Sequence, residues 1–144
     1  MIRRANVLDT SALIYMLNQM HKETEVDVPK INTHKLIGKI NDLLHKGLVL
    51  VAVKDNNIVG SIAGMAVNDW WSDEMYMSDA WFYVFPNERK STIAKNLCID
   101  FIKITKEAKL KVRLGHVFSG DLERKDNFYS KLGLVKVGST YMEK

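Results

Sequence analysis

Cysteine, proline and histidine are scarce in this chain, with one, two and four residues respectively, and each scarcity excludes something. Cys98 alone cannot form an internal disulfide. His21, His34, His45 and His116 show neither H-x-x-x-H spacing nor a paired cysteine, so no zinc ligand set exists and no metal is expected. The low cysteine count predicts a reducing, cytoplasmic setting. No stretch approaches the roughly 20 apolar residues of a membrane span, so no membrane partner is expected. The basic start, Met1 to Asn6, is not followed by the apolar run and cleavage site of a signal peptide, and no leader is expected. Neither G-x-S-x-G nor G-x-x-x-x-G-K occurs, which removes the main support for hydrolase and nucleotidase readings. Cys98 lies among apolar neighbours and reads as a small core residue rather than a nucleophile.

What is present suffices for one core. Of 144 residues, 47% are hydrophobic, which fits a single domain spanning 1–144. The formal charge of +4 suggests a polyanionic partner. Basic residues are nevertheless spread along the whole chain, with a modest concentration at Arg89, Lys90, Lys95, Lys103, Lys106, Lys109 and Lys111. A cofactor carrying several phosphates explains that excess as economically as a nucleic acid does, and there is no basic tail to favour the latter.

Periodicity places the elements. Ile2 to Ala5 begins a strand, and Asp9-Thr10-Ser11 offers capping oxygens to a helix with Leu13, Leu17 and Met20 on one face. Glu23 to Lys30 reads as a polar loop. Asn32-Thr33 caps a second helix with Leu36, Ile40, Leu43 and Leu44 inward, stopped at Gly47. Leu48 to Val53 and Ile58 to Val67 are strands of a hairpin turned at Lys54 to Asn57. A tryptophan-bearing loop, Asn68 to Asp73, leads to a strand over Met75 to Phe85 that Pro86 ends. Ser91 to Ala108 repeats Ile93, Leu97, Phe101, Ile104 and Ala108 at helical spacing. Lys111 to Phe118 is a strand, Asp121 to Leu132 a short helix closed by Gly133, and Leu134 to Tyr141 a final strand. The order β-α-α-β-β-β-α-β-α-β describes one mixed α/β unit.

The stretch from Tyr83 to Ala94 carries the chemistry. Strand, short turn and helix start follow one another, so bare N–H groups converge with the positive end of a helix dipole, a ready anion site. Arg89 and Lys90 lie just before the helix and can add charge-assisted bonds to a phosphate. An amphipathic helix whose first turn is merely basic has the same local pattern.

Here the chain resembles the GNAT superfamily of acyl-CoA N-acyltransferases, over essentially its whole length. In that family a strand ending V-x-P is followed by R/Q-x-x-G-x-G/A, whose amides hold the CoA pyrophosphate. Val84, Pro86, Arg89 and Ala94 match, whereas Thr92 stands at the central glycine, where a Cβ and hydroxyl either crowd the pyrophosphate or donate to it. Asn127-Phe128-Tyr129-Ser130-Lys131-Leu132-Gly133-Leu134 looks like the family's closing F-Y-x-K-L-G-F, with Lys125 and its neighbours departing from the usual residues before it. The resemblance implies a central, mostly antiparallel sheet flanked by helices. It also implies acetyl-CoA as co-substrate, held by Phe82, Tyr83, Val84, Arg89, Lys90, Ser91, Thr92, Ile93, Ala94, Lys95 and Asn127.

The activity so implied is acetyl transfer to a primary amine by direct attack, with a backbone N–H near Val84 as oxyanion donor. Tyr129 matches the tyrosine that protonates the leaving thiolate. A strand position that often holds glutamate is Ser78 here, so Asp79 is the candidate base, provided a bulge turns it toward the cleft. A buried structural aspartate is the other reading of Asp79. Asp69, Asp73, Glu74 and Asp79 lie beside Trp70 and Trp71 in a segment without lysine or arginine. As an acidic, aromatic lip this segment attracts a cationic amine, unless it is a solvated loop whose tryptophans cover the core. The partner is thus a small-molecule or peptide amine, with a homodimer compatible with Tyr141 near the C-terminus. A non-catalytic acyl-CoA-binding protein of the same fold and a nucleic-acid-binding module are the competing functions.

Overall fold

Residues 1–24, 27–116 and 121–143 are described in a computed structural model of the chain. Of the expected elements, Glu25 and Val26 of the loop and Val117 and Phe118 of the strand from Lys111 lie outside the described residues.

Local chemistry sets most element ends. The Asn32 side chain accepts from the Lys35 amide and starts α2 (Thr33–Lys46), which stops at Gly47. Asp55 and Asn56, at φ 50° and 63°, make the two-residue turn joining β2 (Leu48–Lys54) to β3 (Asn57–Asn68). Asx residues tolerate this left-handed backbone, which suits the twist of a hairpin. β4 (Met75–Val84) ends before Pro86, which opens a single 3-10 turn, Pro86–Glu88. α3 (Ile93–Glu107) and α4 (Leu122–Lys131) follow, separated by β5 (Val112–Arg113).

Two expectations change at the ends of the chain. Asp9 does not cap α1 (Thr10–Lys22). Its carboxylate already accepts from Arg3 Nη1 and Nη2 at 2.7 and 2.9 Å and from the Asn6 amide at 2.9 Å. Together with Asn6 it forms a capping box around the 3-10 turn Val7–Asp9 that joins β1 (Ile2–Arg4) to α1. The expected strand from Leu134 to Tyr141 does not form. A strand needs a bonded neighbour, and β5, two residues long, offers too short an edge, so Val137 stays 91% exposed.

The sheet runs β1-β2-β3-β4-β5 in spatial order, antiparallel except for the parallel β4–β5 pair. It separates two apolar layers. Leu13, Met16, Ile40 and Leu43 of α1 and α2 pack on Val49, Val51, Trp81 and Tyr83. On the other side Leu97 and Phe101 of α3 pack on Leu50, Ile62, Met77 and Val84. Buried polar groups within the sheet are paired, with Trp81 Nε1 donating to Ser61 Oγ at 3.0 Å and Ser61 Oγ to the Leu50 carbonyl at 2.8 Å. Among the described residues no helix is long and apolar enough to cross a membrane.

Candidate active site

A break in one strand builds the site. Along β3 and β4, Ala63 pairs with Trp81 and Gly64 with Asp79, leaving Ala80 unpaired as a bulge. The consequence is visible on both sides of it. Met77 N donates to Lys111 O, toward β5, whereas Phe85 N donates to Val59 O, toward β3, although strict alternation would send both the same way. After the bulge the backbone groups of Phe82 and Val84 therefore face the β5 side. Their side chains likewise join Met77 on the α3 face, an odd number of residues away. Gly64 permits this register, because a Cβ there would lie 2.5 Å from the Ser78 carbonyl oxygen.

Among the described residues the β4–β5 ladder holds Met77 with Val112 and Ser78 with Arg113, and the main-chain pairing stops there. Asp79 sits at the parting point. The bulge that the sequence reading required of this strand is thus present, and the Asp79 carboxylate accepts from the Gly115 amide at 3.1 Å. Burial pushes its pKa up to about 6, against the opposing effects of that hydrogen bond and of nearby His116.

Tyr129 comes to the same place from α4. Gly133, at φ +83°, ends that helix, and the Leu134 amide donates back to Tyr129 O at 3.1 Å. Burial, followed by the charge of Asp79, raises the Tyr129 phenol above its ordinary value, so it stays protonated. The same two causes push Cys98 up to about 12, and its thiol is fully buried, which leaves it a core residue without a thiolate.

His116, given no role in the sequence, belongs to this cluster. Its ring stacks on Tyr129 with centroids 5.5 Å apart and planes 7° from parallel, and Nε2 pairs with Asp126 Oδ1 at 3.0 Å. Nδ1 is buried without a hydrogen-bond partner among the described residues. No local pattern announces this arrangement, since Asp126 lies on α4 and His116 on the segment after β5.

At the far end of the gap α3 begins. Ser91 Oγ donates to Glu88 O at 2.6 Å and accepts from the Ile93 amide at 3.3 Å, so one helix-start donor is satisfied internally. The amides of Thr92, Ala94 and Lys95 have no protein acceptor among the described residues. Thr92, at φ −85°, needs no glycine backbone, and its hydroxyl accepts from Asn96 Nδ2 at 3.3 Å. Lys90, Lys95 and Asn127 are exposed, and Phe82 packs edge-on against Phe128 at 6.0 Å.

Two candidate cofactor residues are placed elsewhere. Tyr83 turns its ring to the opposite face and pairs with Ser61 of β3. The Arg89 side chain folds back, with Nε donating to Val84 O at 2.7 Å and Nη2 to Glu23 at 3.0 Å, its guanidinium over the Tyr83 ring. The acidic lip also changes character. Arg113, distant in sequence, grips Asp69 at 3.1 and 3.2 Å, and Trp70 is 93% exposed instead of covering the core.

Behind Ser78, Asp79 and Ala80, a cavity of about 580 Å³ opens between α1, α2 and the sheet. The bulge thus lies between this cavity on one face and the β4–β5 gap on the other.

Solved structures that match this fold include acetyltransferases. One is a predicted acetyltransferase with acetyl-CoA from Clostridium acetobutylicum, 18% identical, TM-score 0.79, covering 100% of this chain and 95% of its own. An aminoglycoside antibiotic 6'-N-acetyltransferase from Acinetobacter haemolyticus is 14% identical, TM-score 0.74, with coverages of 100% and 97%. A ribosomal-protein-alanine N-acetyltransferase from Brucella melitensis is 16% identical, TM-score 0.76, with coverages of 100% and 96%. No curated protein matches the sequence. The model of the acetyltransferase (GNAT) family matches residues 14–134. The chain belongs to that family, and it is an acyltransferase.

Proposed function

We propose that this enzyme transfers the acetyl group of acetyl-CoA to a primary amine by direct attack of the nitrogen on the thioester carbon. The observation that carries the reading is the parting of β4 from β5 at the Ala80 bulge, with Asp79 and Tyr129 beside it and the open amides of α3 at its end.

The residues fit such a co-substrate. The amides of Thr92, Ala94 and Lys95 would take the diphosphate, with Lys90 and Lys95 adding charge. The Thr92 hydroxyl, which accepts from Asn96, keeps its own proton to donate to a phosphate oxygen. Phe82 and Val84 would present N–H groups to the acyl-carrying arm and to the oxygen that gains charge as the nitrogen adds. Acetyl-CoA, when bound, supplies an acetyl group activated as a thioester.

Asp79 acts as base. With its pKa near 6 it is ionised at neutral pH yet more basic than an ordinary carboxylate, and it takes the proton the amine must lose. Tyr129, held protonated, gives its O–H proton to the sulfur as the C–S bond breaks and the C–N bond forms. His116, stacked on Tyr129 and tied to Asp126, fixes the phenol's position.

Thermal unfolding and thiol release test this together. Acetyl-CoA raises the melting midpoint, as a ligand of the native state must, and an amine panel releases CoA thiol. A raised midpoint with no thiol from any amine would instead favour an acyl-CoA-binding protein without catalysis. No shift with acetyl-CoA and a strongly salt-dependent affinity for DNA would favour the nucleic-acid reading.

A further inference from the structure

We infer that the cavity between α1, α2 and the sheet selects a small primary monoamine carried on an apolar body, in preference to polycationic amines; this rests on the acetyl-transfer reading above. Its volume of about 580 Å³ lies within the roughly 300–1,000 Å³ of small-molecule sites. The walls are apolar, with Leu17 and Met20 from α1, Leu36 and Leu43 from α2, and Met65 and Trp81 from the sheet.

The polar inventory decides the acceptor's charge. Ser78 and Asp79 line it at the bulge, and Asp79 is the one acidic residue among the described lining residues, its carboxylate also accepting from the Gly115 amide on the β5 side. His21 bonds to the Pro29 carbonyl at 2.8 Å and Thr24 Oγ1 to the Met20 carbonyl at 3.3 Å, so both are used in holding the wall together. Lys39 lines the cavity as an exposed cation. Among the described lining residues one ammonium therefore has one carboxylate to meet. A second would lie against hydrocarbon or face Lys39, and an unpaired charge in an apolar wall is strongly disfavoured.

A series of n-alkylamines from butylamine to octylamine, with spermidine and an aminoglycoside as polycations, tests this on the intact protein. Binding is read by calorimetric titration and transfer by thiol release with acetyl-CoA. Affinity is expected to rise about fourfold per added methylene while the chain stays within the cavity, and kcat/KM for octylamine to exceed that for spermidine at least tenfold. Leu36→Glu, with an unchanged acetyl-CoA midpoint shift as the check on folding, is expected to flatten the alkyl series and raise binding of spermidine. A binding series flat in chain length, or spermidine turned over faster than octylamine, overturns the inference. A rising binding series with no thiol release from any amine leaves the cavity's selectivity standing and removes the transfer reading instead.

Discussion

The Gly115 amide donates to the Asp79 carboxylate at 3.1 Å, at the point where β4 and β5 part. In a continuous parallel ladder that amide would meet a main-chain carbonyl of β4. Here a side chain takes its place. The strands can then diverge without orphaning a donor, and an acid is fixed at the mouth of the gap. One residue thereby both ends the sheet's pairing and supplies the candidate base.

Replacing this acid should separate activity from stability. Asp79→Asn keeps an oxygen for the Gly115 amide but cannot accept a proton, so kcat/KM is expected to fall by about 10²-fold or more. In the wild type kcat/KM should decline tenfold per unit as pH falls through about 6, the value to which burial raises Asp79. Stability moves the other way. A folded-state pKa raised from 3.8 to about 6 gives a contribution fully present below 3.8 and lost as pH rises through 6. The variant should thus gain up to about 3 kcal/mol over wild type at pH 8 and little at pH 4, measured by urea unfolding. A variant less stable at pH 8 would contradict the burial argument.

Tyr129→Phe removes the proton donor and leaves the ring that stacks on His116. We expect kcat to drop by about 10²-fold with acetyl-CoA affinity and the melting midpoint within error of wild type. A loss confined to KM would assign Tyr129 to binding.

Two glycines should respond oppositely to alanine. At Gly64 a Cβ would meet the Ser78 carbonyl oxygen at 2.5 Å and Phe101 Cζ at 2.8 Å, so Gly64→Ala should cost about 1–3 kcal/mol and disturb the bulge, lowering activity. At Gly38, within α2, a Cβ meets nothing within 4 Å. Gly38→Ala should stabilise by about 0.5–1 kcal/mol and leave activity alone.

What could be read in advance was what short-range chemistry decides. Asn32 as a cap, Gly47 as a stop, the Asp55–Asn56 turn and the apolar stripe of α3 each depend on neighbours in sequence. The bulge at Ala80 depends on the register of two strands, and could be posed only as a condition on Asp79. The pairing of His116 with Asp126, and of Asp69 with Arg113, joins residues that no helical or strand period relates. Asp9 has the right side chain for a helix cap, yet Arg3 claims its carboxylate first. Leu134 to Tyr141 has strand composition without an edge to bind, and composition alone does not form a strand.

Charge reversal at the start of α3 addresses the cofactor end. Lys95→Asp puts a carboxylate on the exposed side of the first turn, where the helix dipole favours it, so folding should be unharmed. Acetyl-CoA should bind at least tenfold more weakly, while free pantetheine, which lacks the diphosphate, should be unaffected.

The place of the diphosphate decides the assignment, and amide chemical shifts report it directly. Titrating ¹⁵N-labelled protein with acetyl-CoA should move the Thr92, Ala94 and Lys95 resonances together with those of Phe82 and Val84, all saturating at one concentration. Saturable binding that leaves those amides unmoved would contradict it.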